Sequence, residues 1–326
     1  MRRRDLITLV GGTLAVWPLC AVAQTPAKVY RVGLLSGGAP IADDSPFGAP
    51  FRGLARLGYA LDRNLAFERR GAEGHVDRLP QLVAELVASK VDVIVTLGYR
   101  ATLAAKQATT LPVVIMDAGD PVGTGLVESL ARPEGHLTGI SDVSAEVTPK
   151  RLQLLKEFAP SLRRVALLWN ADDLAMTLRY RASEAGARAI GVSIQPLGVR
   201  EPSDFDQAFA AMNRDMPDAI LMVSDSLTIL NRKLVFEFAA AHRLPAIYEY
   251  DFIARAGGLM SYGPDPDERS DRVGYLVDRI LKGAKPAELP FEEPTRFKFA
   301  INLKTAKAID LAVPPLLLAQ ADEVIE

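Results

Sequence analysis

Short apolar runs alternate with amphipathic helical patterns along the chain, and this alternation constrains the fold more than any other feature. Between residues 78 and 89, apolar side chains recur at the i, i+3, i+4 and i+7 spacing of one helix face. Strands that are apolar on both faces and separated by helices indicate parallel sheets covered by helices on both sides. The expected strands are Val29–Leu35, Val91–Leu97, Pro112–Met116, Val165–Trp169, Ala219–Val223, Pro245–Tyr248 and Gly258–Tyr262.

One order of elements occurs twice, which predicts two similar α/β lobes. The segment DVIVTLG, a helix and LPVVIM in the first half match DAILMVS, a helix and LPAIY in the second, and RVGLLS and RVALLWN open the two halves. In sheets of this kind, ligands bind beyond the carboxyl ends of the strands, so two facing lobes enclose one cleft. The expected lobes are residues 28–140 plus 257–285 and residues 141–256 plus 286–326.

The N-terminus has the three parts of a signal peptide over residues 1–23. A basic MRRRD start precedes the apolar stretch Leu6–Leu19, and Ala21-Val22-Ala23 forms a cleavage site before Gln24. We therefore expect an exported, periplasmic protein cleaved after Ala23. The sequence leaves Sec and twin-arginine export open, because Arg3-Arg4 loosely resembles a twin-arginine signal. Cys20 raises a lipoprotein alternative, but Leu19 occupies the position where lipoboxes carry Gly or Ala.

Composition and motifs exclude several classes of function. Without residues 1–23 the chain carries 35 basic and 39 acidic residues, a balance that argues against a nucleic-acid partner. His75, His136 and His242 are far apart in sequence, and no P-loop, dinucleotide-binding glycine pattern or G-x-S-x-G elbow occurs. We expect no metal, no cofactor and no catalytic residues.

Several stretches resemble the periplasmic substrate-binding proteins of ABC transporters with the type 1 binding-protein fold. The resemblance runs from about residue 28 to the C-terminus, in a branch similar to proteins that bind tryptophan and other aromatic amino acids. It is carried by RLPQLVAELVASKVDVIVTLGYRATLAAKQATTLPVVIM, GDPVGTGLVESLARPEGHLTGISD, KRLQLLKEFAPSLRRVALLWN, LPAIYEYDFIARAGGLMSYGPD and INLKTAKAIDLAVPPLLLAQADEVIE. The sequence departs from the family at Glu134-Gly135-His136, where Gly-Gly-Asn is usual, and at Tyr99-Arg100, where Thr-Pro is usual.

The resemblance implies a monomeric receptor that captures a small molecule, possibly an amino acid, between closing lobes and docks on a membrane permease. Two alternatives remain open from the sequence, which are an exported α/β enzyme acting on small molecules and a ligand-binding sensor for a signalling partner.

The strand-end rule nominates ligand-binding residues on both lobes. Hydroxyl and N–H groups at strand ends and helix starts can bind a carboxylate, and carboxylates can bind an ammonium group. These candidates are Ser36, Gly37, Tyr99, Arg100, Thr102, Asp120, Asp142, Asn170, Asp225, Ser226, Tyr248 and Tyr250.

Several of these assignments carry an alternative interpretation. Arg100 is either a cleft residue or a solvated surface residue. Asp120 either faces a ligand ammonium or caps a helix expected to begin near Val122, and Asp225 presents the same choice. Tyr248 and Tyr250 share one side of an extended segment, so either they or Glu249 face the cleft.

Overall fold

The structure, a computed structural model, describes residues 28–141 and 144–326. Its strands are β1 (Tyr30–Ser36), β2 (Leu65–Gly71), β3 (Val93–Leu97), β4 (Val113–Asp117), β5 (Leu137–Gly139), β6 (Arg164–Asn170), β7 (Ser193–Val199), β8 (Ala219–Met222), β9 (Ala246–Tyr248), β10 (Met260–Pro264), β11 (Phe297–Asn302) and β12 (Glu323–Ile325). The α-helices are α1 (Ala49–Arg56), α2 (Leu79–Ala88), α3 (Tyr99–Ala108), α4 (Ser144–Phe158), α5 (Leu174–Ala189), α6 (Asp204–Arg214), α7 (Ser226–Leu230), α8 (Arg232–Ala241), α9 (Asp251–Arg255), α10 (Pro266–Leu281), α11 (Leu303–Ala308) and α12 (Pro315–Gln320). Among these described residues, no helix is long and apolar enough to cross a bilayer.

The first lobe is built on a five-stranded parallel sheet in the order β2-β1-β3-β4-β5. Its central strands β1, β3 and β4 are almost entirely buried, because helices cover both faces. All of its strands end at one edge, where β1, β3 and β4 lead into loops that face the second lobe. This arrangement confirms the α/β class and the parallel pairing expected from the apolar runs.

The second lobe is built on a seven-stranded sheet in the order β12-β11-β10-β9-β8-β6-β7. Its strands pair in parallel except at β10 and β11, which run antiparallel. The carboxyl ends of β6, β8 and β9 point to the first lobe. Two Rossmann-like lobes therefore face each other through strand ends, as the repeated order of elements predicts.

Residues 257–264 lie in the second lobe, which differs from the expected boundaries. The sequence analysis placed them in the first lobe, but Met260–Pro264 forms β10 and pairs with β9 on one side and β11 on the other. The two ladders satisfy the backbone polar groups of this strand inside the second sheet. The chain returns to the first lobe only at Pro266, where α10 begins.

Three crossing segments join the lobes and are hydrogen-bonded to one another. Ser141 N donates to Glu292 O over 2.8 Å, and Glu292 N donates to Gly139 O over 3.0 Å. The crossing segment near Asp265 is bound to the last of the three, because Asp265 N donates to Arg296 O over 2.9 Å. Closure of the lobes therefore bends three segments that are tied together as one hinge.

Helices α1 and α10 approach so closely that glycine is required on both. A Cβ atom on Gly274 would lie 2.6 Å from the carbonyl carbon of Gly53, and a Cβ on Gly53 would lie 2.1 Å from Ser270 O. Backbone atoms cannot move aside as a flexible side chain does. This contact fixes α10, a late segment of the chain, against the first helix of the first lobe.

We expect Gly274→Ala to lower the free energy of unfolding by about 1–3 kcal/mol, since the added methyl group overpacks a contact between backbones. Gly186→Ala is the matched control, because Gly186 is also in a helix but its Cβ would meet only the Pro149 ring, at 3.1 Å. Alanine gains about 1 kcal/mol in helix propensity at either position. Urea denaturation of both variants measures the difference, and equal stabilities would contradict the close-approach argument.

Candidate functional site

A cavity of about 290 Å³ lies between the lobes, at the point where the strand ends face each other. The first lobe contributes the loops after β1, β3 and β4. The second lobe contributes residues from the segments that follow β6, β8 and β9, together with α5, α7 and the start of α8. The volume lies at the lower end of the range for small-molecule pockets, roughly 300–1,000 Å³, so the space suits a compact ligand.

The lobes touch each other around this cavity through backbone as well as side chains. Gly119, in the turn after β4, packs against Ala175 of α5, and an added Cβ would lie 2.8 Å from the Cβ of Ala175. Arg100 Nη1 donates to Asp172 O over 2.8 Å, which joins α3 of the first lobe to the loop before α5. The structure is therefore a closed form, in which the cavity is bounded by both lobes.

Most of the sequence-predicted candidates on the first lobe line this cavity. Ser36, Gly37, Tyr99 and Arg100 all do so. The Ser36 hydroxyl is already used, since Oγ donates to Ala39 O over 2.8 Å and accepts from Gly38 N over 3.0 Å. It shapes the loop after β1.

On the second lobe, Asp225, Ser226 and Tyr250 line the cavity. Asp225 is also the N-cap of α7, because its carboxylate accepts from Thr228 N over 2.9 Å. The other carboxylate oxygen accepts from Asn170 Nδ2 over 2.6 Å. Burial raises the pKa of Asp225, and the Thr228 and Asn170 hydrogen bonds oppose this shift. The capping interpretation therefore holds for Asp225, and the same side chain also lines the cavity, where contact with a ligand stays a prediction.

An aromatic wall closes one side of the cavity. Phe47 comes from the first lobe, and Tyr250 and Phe252 come from the second. The Phe47 ring packs edge-on against both of the others, with centroid distances of 5.7 Å to Tyr250 and 5.2 Å to Phe252. Aromatic pairs in this geometry contribute about 0.5–1.5 kcal/mol beyond their buried area. This wall gives the cavity an apolar side.

A buried charge cluster lies directly behind the aromatic wall and spans both lobes. The hydroxyl of Tyr250 donates to the carboxylate of Asp117, at the end of β4. Arg179 of the second lobe and Arg269 of the first each bring a guanidinium nitrogen within 3.5 Å of that carboxylate. Arg269 also lies over the rings of Phe47 and Tyr250, about 5.5 Å from each centroid. The cluster fixes the aromatic wall from behind.

Glu249 extends this cluster into the second lobe. Its carboxylate accepts from Arg179 over 2.8 Å, from Arg151 over 3.0 Å and from Ser224 N over 3.1 Å. Burial acts to lower the pKa of Arg179, but Glu249, Tyr250 and Asp117 more than offset it and raise the pKa above its ordinary value. Of the two interpretations of the Tyr248–Tyr250 segment, Glu249 faces a buried charge cluster and Tyr250 faces the cavity.

Four sequence-predicted candidates do not line the cavity. Thr102 is buried, where its Oγ1 donates to Gly98 O over 2.9 Å and pairs with Thr96 Oγ1 at 2.8 Å. Asp120 accepts from Val122 N and Gly123 N, at 3.0 and 2.9 Å. This is the capping interpretation, although residues 121–125 form a turn rather than the expected helix.

The other two candidates that do not line the cavity are on the second lobe. Asn170 does not line the cavity itself, but it donates a hydrogen bond to Asp225, which does. Tyr248 is buried in the core of that lobe, where its ring packs edge-on against Phe236. Alternate residues point to the same side only within a strand. Because β9 ends at Tyr248, Tyr250 does not point to the same side as Tyr248. Asp142 and the residues around the predicted cleavage site lie outside the described part of the chain.

The sequence analysis missed several residues that line the cavity. Asp117 is the last residue of the VVIMD strand, and Asp173 directly precedes α5, so both carry the strand-end or helix-start signal. Ser224 follows β8 and is buried, and its Oγ has no hydrogen-bond partner among the described residues. Phe47 and Arg232 carry no sequence signal, since neither is at the end of a strand.

The pKa of Asp173, another carboxylate of the cavity, is strongly raised. Burial, followed by the nearby carboxylate of Asp225, raises its pKa to about 7, against the opposing effects of Met176 N–H and Arg100. The burial of Tyr99, across the cleft, and its proximity to Asp173 raise the pKa of the Tyr99 hydroxyl too. Without a ligand, the closed cavity therefore favours a neutral Asp173. Within residues 28–141 and 144–326, no group of three His, Cys, Asp or Glu side chains is placed to hold a metal ion.

Comparison with known proteins assigns the family. The family of ABC transporter substrate binding proteins matches residues 49–325, which is most of the chain. The chain belongs to this family. The tyrosine-binding protein of Clostridioides difficile (strain R20291) is 23% identical over 261 residues, which cover 80% of this chain and 75% of that protein.

Two solved structures in the comparison differ in whether a ligand is bound. An ABC domain in complex with L-Trp from Streptococcus pneumonia is 24% identical, with a TM-score of 0.84 over 91% of this chain and 100% of that one. The ligand-free, open structure of a substrate binding protein with adhesive properties from Clostridium difficile is 21% identical, with a TM-score of 0.65 over 91% and 99%. Both likenesses confirm the two-lobed type 1 fold.

We expect Asp173 to make the ligand-free protein less stable as the pH rises. An unfolded Asp has a pKa of about 3.9, so between about pH 4 and pH 7 the folded state holds a proton that the unfolded state has lost. The stabilisation is complete below about pH 4 and is lost as the pH rises through about 7. Asp173→Asn keeps the cap and removes the titration. Denaturation of both proteins across this range measures the effect, and parallel pH profiles would contradict it.

Proposed function

We propose that this protein is the receptor of an ABC importer that captures a small molecule, an amino acid, between its lobes and presents the closed form to a membrane permease. It acts in the periplasm as a monomer, after export and cleavage following Ala23. The observation that carries this proposal is a closed, compact cavity with two carboxylates on one lobe and aromatic rings from both. Membership of the substrate binding protein family supports the transport role.

The polar groups of the cavity suit the two charged groups of an amino acid. Asp225 is held in place by Asn170 and Thr228, and its raised pKa means that the ionised form lacks a cationic partner. A ligand ammonium supplies that partner. The Ser224 hydroxyl and the start of α3 at Tyr99 provide donors for a carboxylate. The names of the tyrosine-binding relative and of the L-Trp complex support an amino acid as the ligand.

The apolar part of the cavity suits the side chain of such a ligand. Phe47, Tyr250 and Phe252 offer ring surface, and Met176 and Ile229 add aliphatic surface. Binding rather than catalysis also fits the residues present. No histidine lines the cavity in the described chain, and the hydroxyl of Ser36 is committed to backbone partners.

Closure follows from contacts that the ligand makes with both lobes. A ligand shifts a conformational equilibrium only by its difference in affinity for the two states. Here the walls come from both sides, so a bound molecule gains its full set of contacts only in the closed form. The better superposition on the L-Trp complex than on the open, ligand-free relative supports this view of the conformation.

We expect Asp225→Asn to weaken amino-acid binding by at least about a hundredfold. Removing one partner of a buried charge pair costs about 3–5 kcal/mol, and each 1.4 kcal/mol is a factor of ten. Asparagine still caps α7 through its amide oxygen but no longer accepts from Asn170, so we expect a fall in stability of about 1 kcal/mol, which a melting curve measures separately from affinity. Calorimetric titration with a panel of the common amino acids identifies the ligand and then measures the loss.

Asp120→Asn is the matched control, because Asp120 caps an exposed turn away from the cavity. It should bind as the wild type does. The site assignment fails if the two variants bind alike. If the wild type binds no amino acid, the proposed ligand class itself is wrong.

A second prediction concerns closure. Gly119→Ala should weaken binding by about tenfold or more, because its methyl group would meet Ala175 and hold the lobes apart. Gly125→Ala is the control, since Gly125 has a similar positive φ of 73° against 78° for Gly119 but open space around its Cβ position. Both variants should lose about 1–2 kcal/mol of stability through backbone strain. Only Gly119→Ala should also lose affinity, and equal affinities would show that this contact does not limit closure.

A further inference from the structure

The guanidinium of Arg232 faces the cavity without a carboxylate partner. Arg232 is the first residue of α8, and its Nη1 donates to Ile229 O over 2.7 Å. Its Nε is buried and has no hydrogen-bond partner among the described residues, and no ion pair to Arg232 occurs there. A buried donor on a charged group is costly to leave unpaired. The cavity therefore offers a positive charge that the protein itself does not neutralise.

The position of Arg232 separates it from the proposed ammonium site. Asp225 caps the N-terminus of α7, whereas the hydrogen bond to Ile229 O holds the Arg232 guanidinium at the other end of that helix. The five residues of α7 span about 7.5 Å at 1.5 Å per residue. The α-carboxylate of an amino acid lies next to its ammonium group, so it stays near Asp225. A group that reaches Arg232 belongs to the ligand side chain.

A second arginine adds positive charge from the opposite lobe. Arg100 lines the same cavity, and its Nη1 donates to a backbone carbonyl, that of Asp172, rather than to a carboxylate. Of the three carboxylates that line the cavity, Asp117 is engaged with Arg179, Arg269 and Tyr250, and Asp225 with Asn170 and Thr228. Asp173 accepts from Met176 N and interacts electrostatically with Arg100, so it offsets part of the charge of Arg100. Arg232 has no carboxylate partner among the described residues. The closed cavity favours a ligand with an anionic group beyond its α-carboxylate.

We propose that Arg232 is a specificity-determining residue that binds an acidic group on the side chain of the ligand, so that the receptor prefers acidic amino acids over neutral ones of the same shape. This inference rests on the proposed function and narrows its ligand class. The aromatic wall and the volume favour a carboxylate carried on a compact or aromatic side chain. A guanidinium binds a carboxylate through two parallel hydrogen bonds, which makes the contact strong as well as directional.

The test uses pairs of ligands that differ only in this charge. L-4-carboxyphenylalanine is compared with L-phenylalanine, and L-glutamate with L-glutamine, by calorimetric titration of the wild type and of Arg232→Gln. We expect the wild type to prefer the acidic member of at least one pair by about tenfold or more. In Arg232→Gln this preference should disappear, while the affinity for the neutral member stays within about threefold. Glutamine can still donate to Ile229 O, so the fold at the start of α8 is kept.

Lys233→Gln is the matched control, because it removes the same charge from the next residue of α8, which is exposed. This variant should keep the preference for acidic ligands. If it loses that preference, the preference arises from the overall electrostatic potential of the protein and not from a contact with Arg232. Equal affinity of the wild type for both members of each pair overturns the proposal. So does an equal loss for acidic and neutral ligands in Arg232→Gln, since Arg232 would then bind the α-carboxylate. If none of the four ligands or the common amino acids binds, the proposed function falls and this inference with it.

Discussion

The buried carboxylate of Asp117 is where the two lobes meet, and the rest of the site depends on how it is neutralised. It ends a central strand of the first sheet, and its partners come from both lobes. Moving an ion out of water costs several kcal/mol, so such a carboxylate is stable only where cations and donors surround it. Arg179 and Tyr250 of the second lobe satisfy part of this requirement. The first lobe thus depends on the second for the neutralisation of its own strand end.

The cavity inherits its shape from this cluster. Tyr250 is bound through its hydroxyl to Asp117, so its ring is held with one face toward Phe252 and one edge toward Phe47. The rings can therefore form a fixed wall rather than a set of adjustable side chains. Asp225, which also lines the cavity, is fixed by Asn170 and by its own helix. A site whose polar groups are already oriented loses little entropy when a ligand binds.

Much of the fold could be predicted from the sequence because its signals are local. Apolar runs and helical periodicity place the strands and helices, and the repeated order of elements predicts two lobes. The expectation that ligands bind beyond the ends of strands identifies Ser36, Tyr99 and Asp225, which line the cavity. Local signals do not show which sheet a strand joins when its partner is distant in sequence. Strand β10 belongs to the second sheet because it pairs with β11, some 40 residues later.

The residues that the sequence analysis missed depend on contacts between distant segments. Asp117 is important because Arg179, Tyr250 and Arg269 surround it, and none of the three is near it in sequence. Tyr248 and Tyr250 look equivalent in sequence, but β9 ends between them, and one enters the core while the other enters the site. Arg232 is one of many surface-type arginines in the sequence. Its place at the cavity between the lobes, without a carboxylate partner among the described residues, is evident only from the structure.

The late position of α10 sets an order of events during synthesis. The first lobe needs α10, because this helix packs against α1 through Gly53 and Gly274, and Thr138 of β5 donates to Leu289 O. More than four fifths of the chain must therefore be made before the first lobe can complete its core, although most of that lobe is encoded at the start. Contacts between such distant segments form slowly, since a long loop must close first. The N-terminal lobe thus stays without a complete core until the segment that forms α10 has been made, long after its own first strands.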